Sequence, residues 1–294
     1  MPFTVTIDSN SGFCFGVVKA VEKAEHYLTN GHQLFSLGDI VHNTCEVERL
    51  ENMGLKTVTT QQLPNITNGT ILFRAHGEPP ISYQQAASQN LQVIDATCPV
   101  VLKLQQRIRA AWEKMKPLNG QIIIYGKKGH PEVIGLLGQI NNEGILIEDS
   151  NDLSSIDFTR PIELFSQTTK SISGFQQLIS NIEKQACNKD SFTWHDTICR
   201  QVSNRVPKME QFATTHDVVI FVGGAQSSNA KSLFNECLKH NPNSHFVIDA
   251  NDLKQEWFPL QTQKVGVCGA TSTPQWLLEQ VADAITNQFA SLSS

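Results

Sequence analysis

The chain has 294 residues, which is enough to bury a substantial core and to form two or three compact units. Its formal net charge of −5 and the lack of any Lys or Arg run argue against nucleic acid or a membrane surface as a partner. No stretch approaches the roughly 18 continuous apolar residues of a membrane helix, and the first residues lack the pattern of a secretion signal, so we expect a cytoplasmic protein.

Strand-like and helix-like patterns alternate along the chain, which predicts an α/β fold with largely parallel sheets. In chain order, strands are predicted near residues 5–7, 34–36, 71–73, 93–94, 122–125, 162–165, 192–194, 218–222 and 265–267. Helical patterns cover residues 17–28 and 231–240, and others end near residues 53, 115 and 213. A strand followed by a polar loop and then a helix is typical of folds that bind nucleotides or phosphates.

The predicted strands fall into three consecutive groups, here called passes, which share the same order of strands, loops and helices. The first strand of each pass leads to a cysteine and a helix, and these cysteines are Cys14, Cys98 and Cys199. The loop after the second strand lies 28, 32 and 30 residues beyond the cysteine and contains His42, His130 and Asn229. The loop after the third strand lies 62, 70 and 73 residues beyond it and contains His76, Thr168 and Ser272.

This recurrence indicates three copies of one supersecondary unit. We therefore predict three similar α/β units over residues 1–97, 98–195 and 196–294, arranged around a pseudo-threefold axis. Ligands of parallel sheets collect beyond the carboxyl ends of the strands, where all of these loops lie. The three cysteines would then converge on one central site.

Three converging thiolates would repel one another unless a cation or a cluster neutralised them. Soft sulfur ligands suit either an iron–sulfur cluster or zinc. Three protein ligands leave one position of a cluster open, as catalysis requires, and zinc with three ligands and a water is the alternative. Spacing alone does not choose between these metals. The remaining cysteines are expected to serve packing, and they are Cys45, Cys187, Cys237 and Cys268.

Polar side chains in the loops predict a pocket that is rich in hydrogen-bond donors. They are His42, His76, His130, Thr168, Ser227, Ser228, Asn229 and Ser272. Each of them alone could simply cap a helix, but together with helix N-termini they favour a phosphate or diphosphate. The chain has no Walker loop and no dinucleotide fingerprint. Glu132 could donate a proton if burial raises its pKa, and its alternative role is that of an ordinary first-turn acid.

Nine short motifs, in order from Gly12 to Pro274, resemble the 4-hydroxy-3-methylbut-2-enyl diphosphate reductase family, also called LytB or IspH. They are Gly12-Phe13-Cys14, Val41-His42-Asn43, Ala75-His76-Gly77, Asp95-Ala96-Thr97-Cys98-Pro99, Gly129-His130-Pro131-Glu132, Ser166-Gln167-Thr168-Thr169, Asp196-Thr197-Ile198-Cys199, Ser227-Ser228-Asn229 and Ser272-Thr273-Pro274. The resemblance implies the last step of the methylerythritol phosphate pathway. In that step, two-electron reductive dehydroxylation yields isopentenyl and dimethylallyl diphosphate.

The same resemblance implies roles for individual residues. One 4Fe–4S cluster per chain would be held by Cys14, Cys98 and Cys199. Glu132 would be the proton donor, and Thr168 would order the proton relay. The diphosphate and hydroxyl contacts would be His42, His76, His130, Thr168, Ser227, Ser228, Asn229 and Ser272. Electrons would come from NADPH through an external ferredoxin or flavodoxin, and the chain would be a monomer or a weak homodimer.

Two other functions are compatible with the residues taken without the resemblance. One is a zinc-dependent phosphohydrolase that uses the three cysteines and a metal-bound water. The other is an iron–sulfur redox sensor, in which the polar loops only cap helices. Metal and sulfide analysis separates the reductase from the hydrolase, and turnover of the allylic diphosphate separates it from the sensor.

Overall fold

A computed structural model describes residues 3–289, in which the chain forms twelve β-strands and ten α-helices. The strands build three four-stranded sheets. The predicted α/β class with three similar, parallel-sheet units is thus confirmed. The predicted arrangement around a pseudo-threefold axis stays a prediction.

Four of the predicted helices match observed ones, and the fifth divides into two short helices, α7 and α8. Pro207 explains the break, because proline is tolerated in the first turn of a helix but not in its interior. The helices are α1 (Phe15–Thr29), α2 (Thr44–Asn52), α3 (Pro80–Ser88), α4 (Pro99–Met115), α5 (Pro131–Gly138), α6 (Ile172–Gln185), α7 (Arg200–Ser203), α8 (Arg205–Thr214), α9 (Ser228–His240) and α10 (Gln275–Phe289). Among residues 3–289, no helix is both long and apolar enough to cross a membrane.

The three sheets have the same strand order. Sheet I has the order β3-β2-β4-β5, with β2 (Leu34–Leu37), β3 (Leu55–Val58), β4 (Thr70–Phe73) and β5 (Gln92–Asp95). Sheet II has the order β7-β6-β8-β9, with β6 (Gln121–Tyr125), β7 (Ile145–Ile147), β8 (Ile162–Ser166) and β9 (Phe192–Trp194). Sheet III has the order β11-β10-β12-β1, with β1 (Thr4–Ile7), β10 (Val218–Val222), β11 (Ser244–Val247) and β12 (Lys264–Gly269).

In every sheet, the strand that leads to the cysteine lies at one edge and pairs in parallel with the strand of the third loop. These edge pairs are β5–β4, β9–β8 and β1–β12. The strand of the second loop comes next and is also parallel to the third-loop strand. The opposite edge is formed by β3, β7 and β11, which the sequence did not predict. They have three or four residues each and are partly exposed, so they lack a continuous apolar run.

The N-terminal strand β1 belongs to the sheet that the C-terminal third of the chain builds. The chain packs into two compact lobes. The terminal lobe comprises the described parts of Met1–Asn30, Asp39–Leu55 and Asn204–Ser294. The middle lobe comprises Gly31–Gly38 and Lys56–Ser203. The predicted boundaries at residues 97 and 195 stay a prediction.

Strand β10 shows why these sheets produce long apolar runs in the sequence. Alternate residues of a strand point to opposite faces, and both faces of β10 are covered. Val218, Ile220 and Val222 pack in one core cluster with side chains of α10. Val219 and Phe221 pack in another with side chains of α8 and α9. The strand is therefore apolar throughout, and its carboxyl end is held rigidly beneath the loop that follows.

We expect Ile220→Ala to lower the free energy of unfolding by about 2–5 kcal/mol, because the fully buried side chain leaves a cavity between β10 and α10. Urea unfolding measures this loss. Leu260→Ala is the matched control, since Leu260 is 77% exposed and its truncation should cost less than about 0.5 kcal/mol. Equal losses in the two variants would contradict the placement of β10 in the core.

Candidate active site

The three predicted ligand cysteines occupy equivalent local positions. Cys14 follows β1 and directly precedes α1, Cys98 follows β5 and precedes α4, and Cys199 follows β9 and precedes α7. All three are partly buried, and none of them forms a disulfide. Each cysteine therefore lies at the junction between an edge strand and the helix that follows it.

The backbone of each cysteine is tied to the loop after the neighbouring strand. The N–H of Cys98 donates to the carbonyl oxygen of Ala75 at 3.0 Å. The equivalent bonds run from Cys199 to Thr168 at 2.8 Å and from Cys14 to Thr271 at 3.2 Å. The carboxyl ends of parallel strands lie at the same sheet edge, so both loops begin there and the bond recurs in all three sheets. A hydrogen bond therefore recurs with the predicted repeat, but it joins each cysteine to the third loop of another pass rather than to that of its own.

The other four cysteines have different surroundings. Cys237 and Cys268 are fully buried in the core cluster of sheet III, as expected for packing residues. Burial raises the pKa of the Cys268 thiol well above its usual value, so it stays protonated. Cys45 is partly buried with its Sγ 3.9 Å from the Ile248 carbonyl oxygen, and Cys187 is exposed.

Glu132 is the buried acid of the middle lobe that the sequence singled out. It lies in the first turn of α5 and is 2% exposed. Its Oε1 accepts the backbone N–H of Thr168 and its Oε2 accepts the Thr168 hydroxyl, both at 2.7 Å. The carbonyl oxygen of Thr168 accepts the N–H of Cys199. One residue therefore positions both the predicted proton donor and a predicted ligand cysteine.

Burial raises the pKa of Glu132 to about 7, because removing a carboxylate from water disfavours the charged form. The two hydrogen bonds from Thr168 oppose this effect, since they favour the charged form. The balance leaves a carboxyl group that can hold or release a proton near neutral pH. From the sequence alone, a raised pKa of Glu132 was only a condition for its role as a proton donor.

His130 and His76 lie side by side in the middle lobe, with ring centroids 5.5 Å apart. His130 caps α5, and its Nδ1 accepts the backbone N–H of Glu132 at 3.1 Å. In a neutral ring the hydrogen is therefore assigned to Nε2, which makes Nε2 the donor. The loop of His76 approaches α5 closely, because a Cβ on Gly135 would lie 2.5 Å from the Gly77 carbonyl oxygen. Glycine at this position permits the contact.

The terminal lobe brings together the polar residues after β10 and β12. The hydroxyls of Ser227 and Ser272 are 3.2 Å apart, and Ser227 also caps α9. The Asn229 side chain donates to the Thr271 hydroxyl at 2.9 Å. Ser227 and Ser272 are buried, so this group is a compact set of neutral hydrogen-bonding groups beside the start of a helix. The side chain of Ser228 lies outside the described part of the structure.

His42 lies on the loop before α2, and its backbone is packed tightly in the terminal lobe. Asn43 caps α2 by accepting the Glu46 N–H at 3.1 Å. A Cβ on Gly224 would overlap the carbonyl oxygen of His42, so only glycine lets the loop after β10 approach so closely. The buried Glu46 carboxylate accepts bonds from Arg49 and from the Trp276 indole, which anchors α2.

Two residues of the terminal lobe complete the surroundings of Cys14, and the sequence did not indicate either. Thr271 bonds Cys14 through its carbonyl and Asn229 through its hydroxyl, as Thr168 bonds Cys199 and Glu132. Arg205 is buried, and its Nη2 donates to the carbonyl oxygen of Gly12 at 2.7 Å. Aligning the three loops by their cysteine hydrogen bonds reveals Thr271. No comparable pattern in the sequence identifies Arg205, which is a single arginine within a predicted helix.

The Arg205 guanidinium provides a test of whether an anionic sulfur centre suits this part of the chain. Its Nη1 is buried and has no hydrogen-bond partner among the described residues. Burial lowers the pKa of this guanidinium, whereas the negative charges of Asp8 and of a Cys14 thiolate raise it. A buried cation with one unused donor is stabilised by additional negative charge nearby. The residues around Cys14 therefore fit an iron–sulfur cluster.

A family model and curated proteins of similar sequence indicate the same family for this chain. The family model described as LytB protein matches residues 5–286. A Parabacteroides distasonis protein named 4-hydroxy-3-methylbut-2-enyl diphosphate reductase is 51% identical over 287 residues, which cover 98% of this chain and 99% of that protein. A Bacteroides thetaiotaomicron protein of the same name is 50% identical, over 96% of this chain and 97% of that protein.

Two solved structures are also similar. One is described as (E)-4-hydroxy-3-methyl-but-2-enyl diphosphate reductase, the terminal enzyme of the non-mevalonate pathway. It has a TM-score of 0.73 and 31% identity, with 98% of this chain and 100% of that chain covered. The other is the E-1-hydroxy-2-methyl-but-2-enyl-4-diphosphate reductase from Plasmodium falciparum, with a TM-score of 0.83 and 25% identity. That comparison covers 98% of this chain and 89% of the other.

The raised pKa of Glu132 predicts a specific dependence of stability on pH. In the unfolded chain this carboxyl ionises near 4.5, whereas in the folded protein it keeps its proton to about 7. The folded state then binds more protons in this window, so the free energy of unfolding falls as pH rises through it. Glu132→Gln lacks this proton. Raising the pH from about 5 to about 8 should therefore lower the free energy of unfolding of this variant by about 2–3 kcal/mol less than that of the wild type.

Urea unfolding of both proteins at the two pH values measures this difference. Glu78→Gln is a comparison variant, because Glu78 is also a buried acid of the middle lobe. Burial raises the pKa of Glu78 too, but the charge of Arg74 opposes the rise, so this variant should differ less from the wild type. Parallel pH dependence in the wild type and Glu132→Gln would contradict the raised pKa.

Proposed function

The chain belongs to the LytB protein family, and from this premise we propose how its own residues serve the reaction of that family. The enzyme reduces 4-hydroxy-3-methylbut-2-enyl diphosphate, in the terminal step of the non-mevalonate pathway, to isoprenoid precursors. The hydroxyl group leaves as water, so each turnover consumes two electrons and two protons. The chain must therefore hold an anionic substrate, supply protons and receive electrons.

We propose that Cys14, Cys98 and Cys199 hold one 4Fe–4S cluster. When bound, such a cluster supplies electrons and a Lewis-acidic iron. The support is local and occurs three times: a partly buried thiol directly before a helix, with its backbone N–H bonded to the neighbouring loop. Arg205 supplies buried positive charge that suits an anionic centre beside Cys14. Cys237 and Cys268, which are buried in the core, are not ligands in this assignment.

Glu132 is the proposed proton donor, and the two hydrogen bonds from Thr168 are the observation that carries this proposal. Departure of a hydroxyl group as water requires a proton at the oxygen that leaves. A carboxyl group with a pKa of about 7 is half protonated at neutral pH and can be reprotonated between turnovers. The Thr168 hydroxyl can donate to Glu132 or accept from it, so it can pass a proton onward.

The diphosphate is proposed to bind through side-chain hydrogen-bond donors and helix N-termini. The donors are His42, His76, His130, Ser227, Ser228, Asn229 and Ser272. Nε2 of His130 is the donor atom in this proposal, because Nδ1 of that ring accepts the Glu132 N–H. The N-terminus of α9, which carries Ser227 at its cap, adds backbone N–H groups and a positive dipole end. Thr168 would contact the substrate hydroxyl.

The remaining proposals concern the partners and the location of the enzyme. Electrons are proposed, from the family resemblance, to come from NADPH through a ferredoxin or a flavodoxin. A monomer or weak homodimer is proposed from the family resemblance. All seven cysteines are outside disulfides, which is typical of a reducing compartment and supports a cytoplasmic location.

Glu132→Gln should lower kcat by about 10²–10⁴-fold, because the amide cannot donate the proton that the carboxyl group supplies. Anaerobic turnover of the allylic diphosphate with a reduced viologen dye measures the rate, and iron and sulfide analysis checks that the cluster is retained. In the wild type, kcat should fall as pH rises above about 7, where Glu132 loses its proton.

The matched control for this prediction is Glu78→Gln, which replaces another buried acid of the middle lobe. It should retain turnover per cluster even if its stability falls. Near-normal turnover of Glu132→Gln would remove Glu132 from the role of proton donor.

Cys14→Ser should lose the cluster together with activity, because a serine hydroxyl is a poor substitute for a thiolate ligand. Iron, zinc and sulfide analysis after oxygen-free purification measures the loss. Cys237→Ser is the control, since this thiol lies in the core, and it should keep normal iron and sulfide content. Stoichiometric zinc without sulfide in the wild type would contradict the cluster and favour the hydrolase alternative.

A further inference from the structure

The charge of the chain is unevenly distributed, and helix α4 is strongly cationic. The protein has a formal net charge of −5. Helix α4 and the turn Lys116–Leu118 that follows it contain five cations and a single acid, Glu113. Their net charge is therefore +4, within a chain whose other residues sum to −9. This helix begins directly after Cys98, a proposed cluster ligand.

The cations of α4 are displayed on its outer side. Leu104, Ile108 and Ala111 pack in the core cluster on one side of sheet II. The exposed side carries a row at helical spacing, here called the α4 stripe: Val100, Lys103, Arg107, Ala110 and Lys114. The row spans about 21 Å at the usual helical rise and contains no acid. Its first residue lies only two positions from Cys98.

Contacts within the middle lobe hold Arg107 without neutralising it. Its Nη2 lies 3.3 Å from Nδ1 of His195, and Nε2 of the same ring lies 2.9 Å from the Glu163 carboxylate. Since Arg107 can only donate, Nδ1 is the acceptor and the ring hydrogen is assigned to Nε2. Within residues 3–289, no carboxylate lies at ion-pair distance from Lys103 or Arg107.

Lys114, at the far end of the α4 stripe, does have an acidic partner. It pairs with Glu163 at 3.0 Å, but Glu163 is buried while the Lys114 side chain is 69% exposed. The cationic side chains are therefore exposed to solvent, whereas the Glu163 carboxylate is not.

Large apolar side chains are exposed beside these charges. Val100 and Leu102 at the start of α4 are 45% and 44% exposed. Protein interfaces combine apolar side chains with charged residues that steer the partner. The first half of α4, where Val100, Leu102, Lys103 and Arg107 are exposed, has this composition.

We propose that this surface docks an acidic, one-electron carrier protein. The inference rests on the proposed function, because it presumes that electrons reach a cluster held in part by Cys98. The positive charge of the α4 stripe selects a negatively charged occupant, and an overall acidic chain would otherwise repel such a partner. Two docked carriers in succession are each oxidised by one electron. Together with two protons they account for the cleaved C–O bond and the water released in one turnover.

Charge reversal on the α4 stripe tests the proposal. The variant is Lys103→Glu/Arg107→Glu, and the two electron donors are a purified acidic 2Fe–2S ferredoxin and reduced methyl viologen. With ferredoxin at low salt, kcat/KM for the carrier should fall about tenfold or more, and its dependence on salt should flatten. With methyl viologen, turnover should not fall, because this small cation needs no acidic-protein docking surface.

Two further variants sharpen the test. Lys56→Glu/Lys184→Glu makes the same change in net charge on β3 and near the end of α6, and it should keep ferredoxin turnover within about twofold. Lys103→Gln/Arg107→Gln, which removes charge without reversing it, should give an intermediate loss. This second variant keeps the test valid if charge reversal disturbs folding, which iron and sulfide content would reveal.

The outcomes separate the docking proposal from the proposed function. Unchanged ferredoxin kinetics in both stripe variants, or an equal loss in the control variant, would overturn the docking surface while leaving the reductase intact. Loss of viologen turnover in the wild type would instead refute the proposed function. Equal losses with both donors in the stripe variants would also overturn the proposal, because a docking surface affects only the protein donor.

Discussion

The local order of the site depends on one constraint: the cysteine of each sheet follows an edge strand that is parallel to the strand beside it. Parallel strands release their loops at one edge, so the cysteine N–H reaches the carbonyl of the neighbouring loop in all three sheets. Because β4, β8 and β12 lie inside their sheets, they hold the carbonyl groups in place. Backbone hydrogen bonds therefore position the cysteines, independently of what their sulfur atoms bind.

Thr168 shows how this arrangement connects to proton chemistry. Its carbonyl bonds Cys199, while its N–H and hydroxyl bond the two oxygens of Glu132. Burial and hydrogen bonding act on the pKa of Glu132 in opposite directions, and burial is the larger effect. At Glu78, burial also raises the pKa, but the neighbouring Arg74 cation favours the charged form and opposes the rise. Glu132 has neutral hydrogen-bond partners instead, so its carboxyl group holds a proton near neutrality.

Positive charge serves different purposes in different parts of the molecule. The polar residues proposed for the diphosphate include no Lys or Arg and lie beside helix starts, which suits an anion that must also be released as product. The formal cations of α4 are instead concentrated on its outer side, where Lys103 and Arg107 face solvent. Buried Arg205 is a third case, since its charge is directed within the protein toward Gly12 and Cys14.

The sequence by itself determined the α/β class, the threefold recurrence and the family, because apolar strands, loop spacing and nine motifs are local properties of the chain. It missed β3, β7 and β11, whose short, half-exposed runs become strands only through pairing at a sheet edge. It could not assign β1 to sheet III, since its partner β12 lies some 260 residues away. Tertiary structure alone decided the pKa of Glu132, the role of Thr271 and the burial of Arg205. Desolvation and hydrogen bonding depend on which distant residues become neighbours, and neither composition nor spacing contains that information.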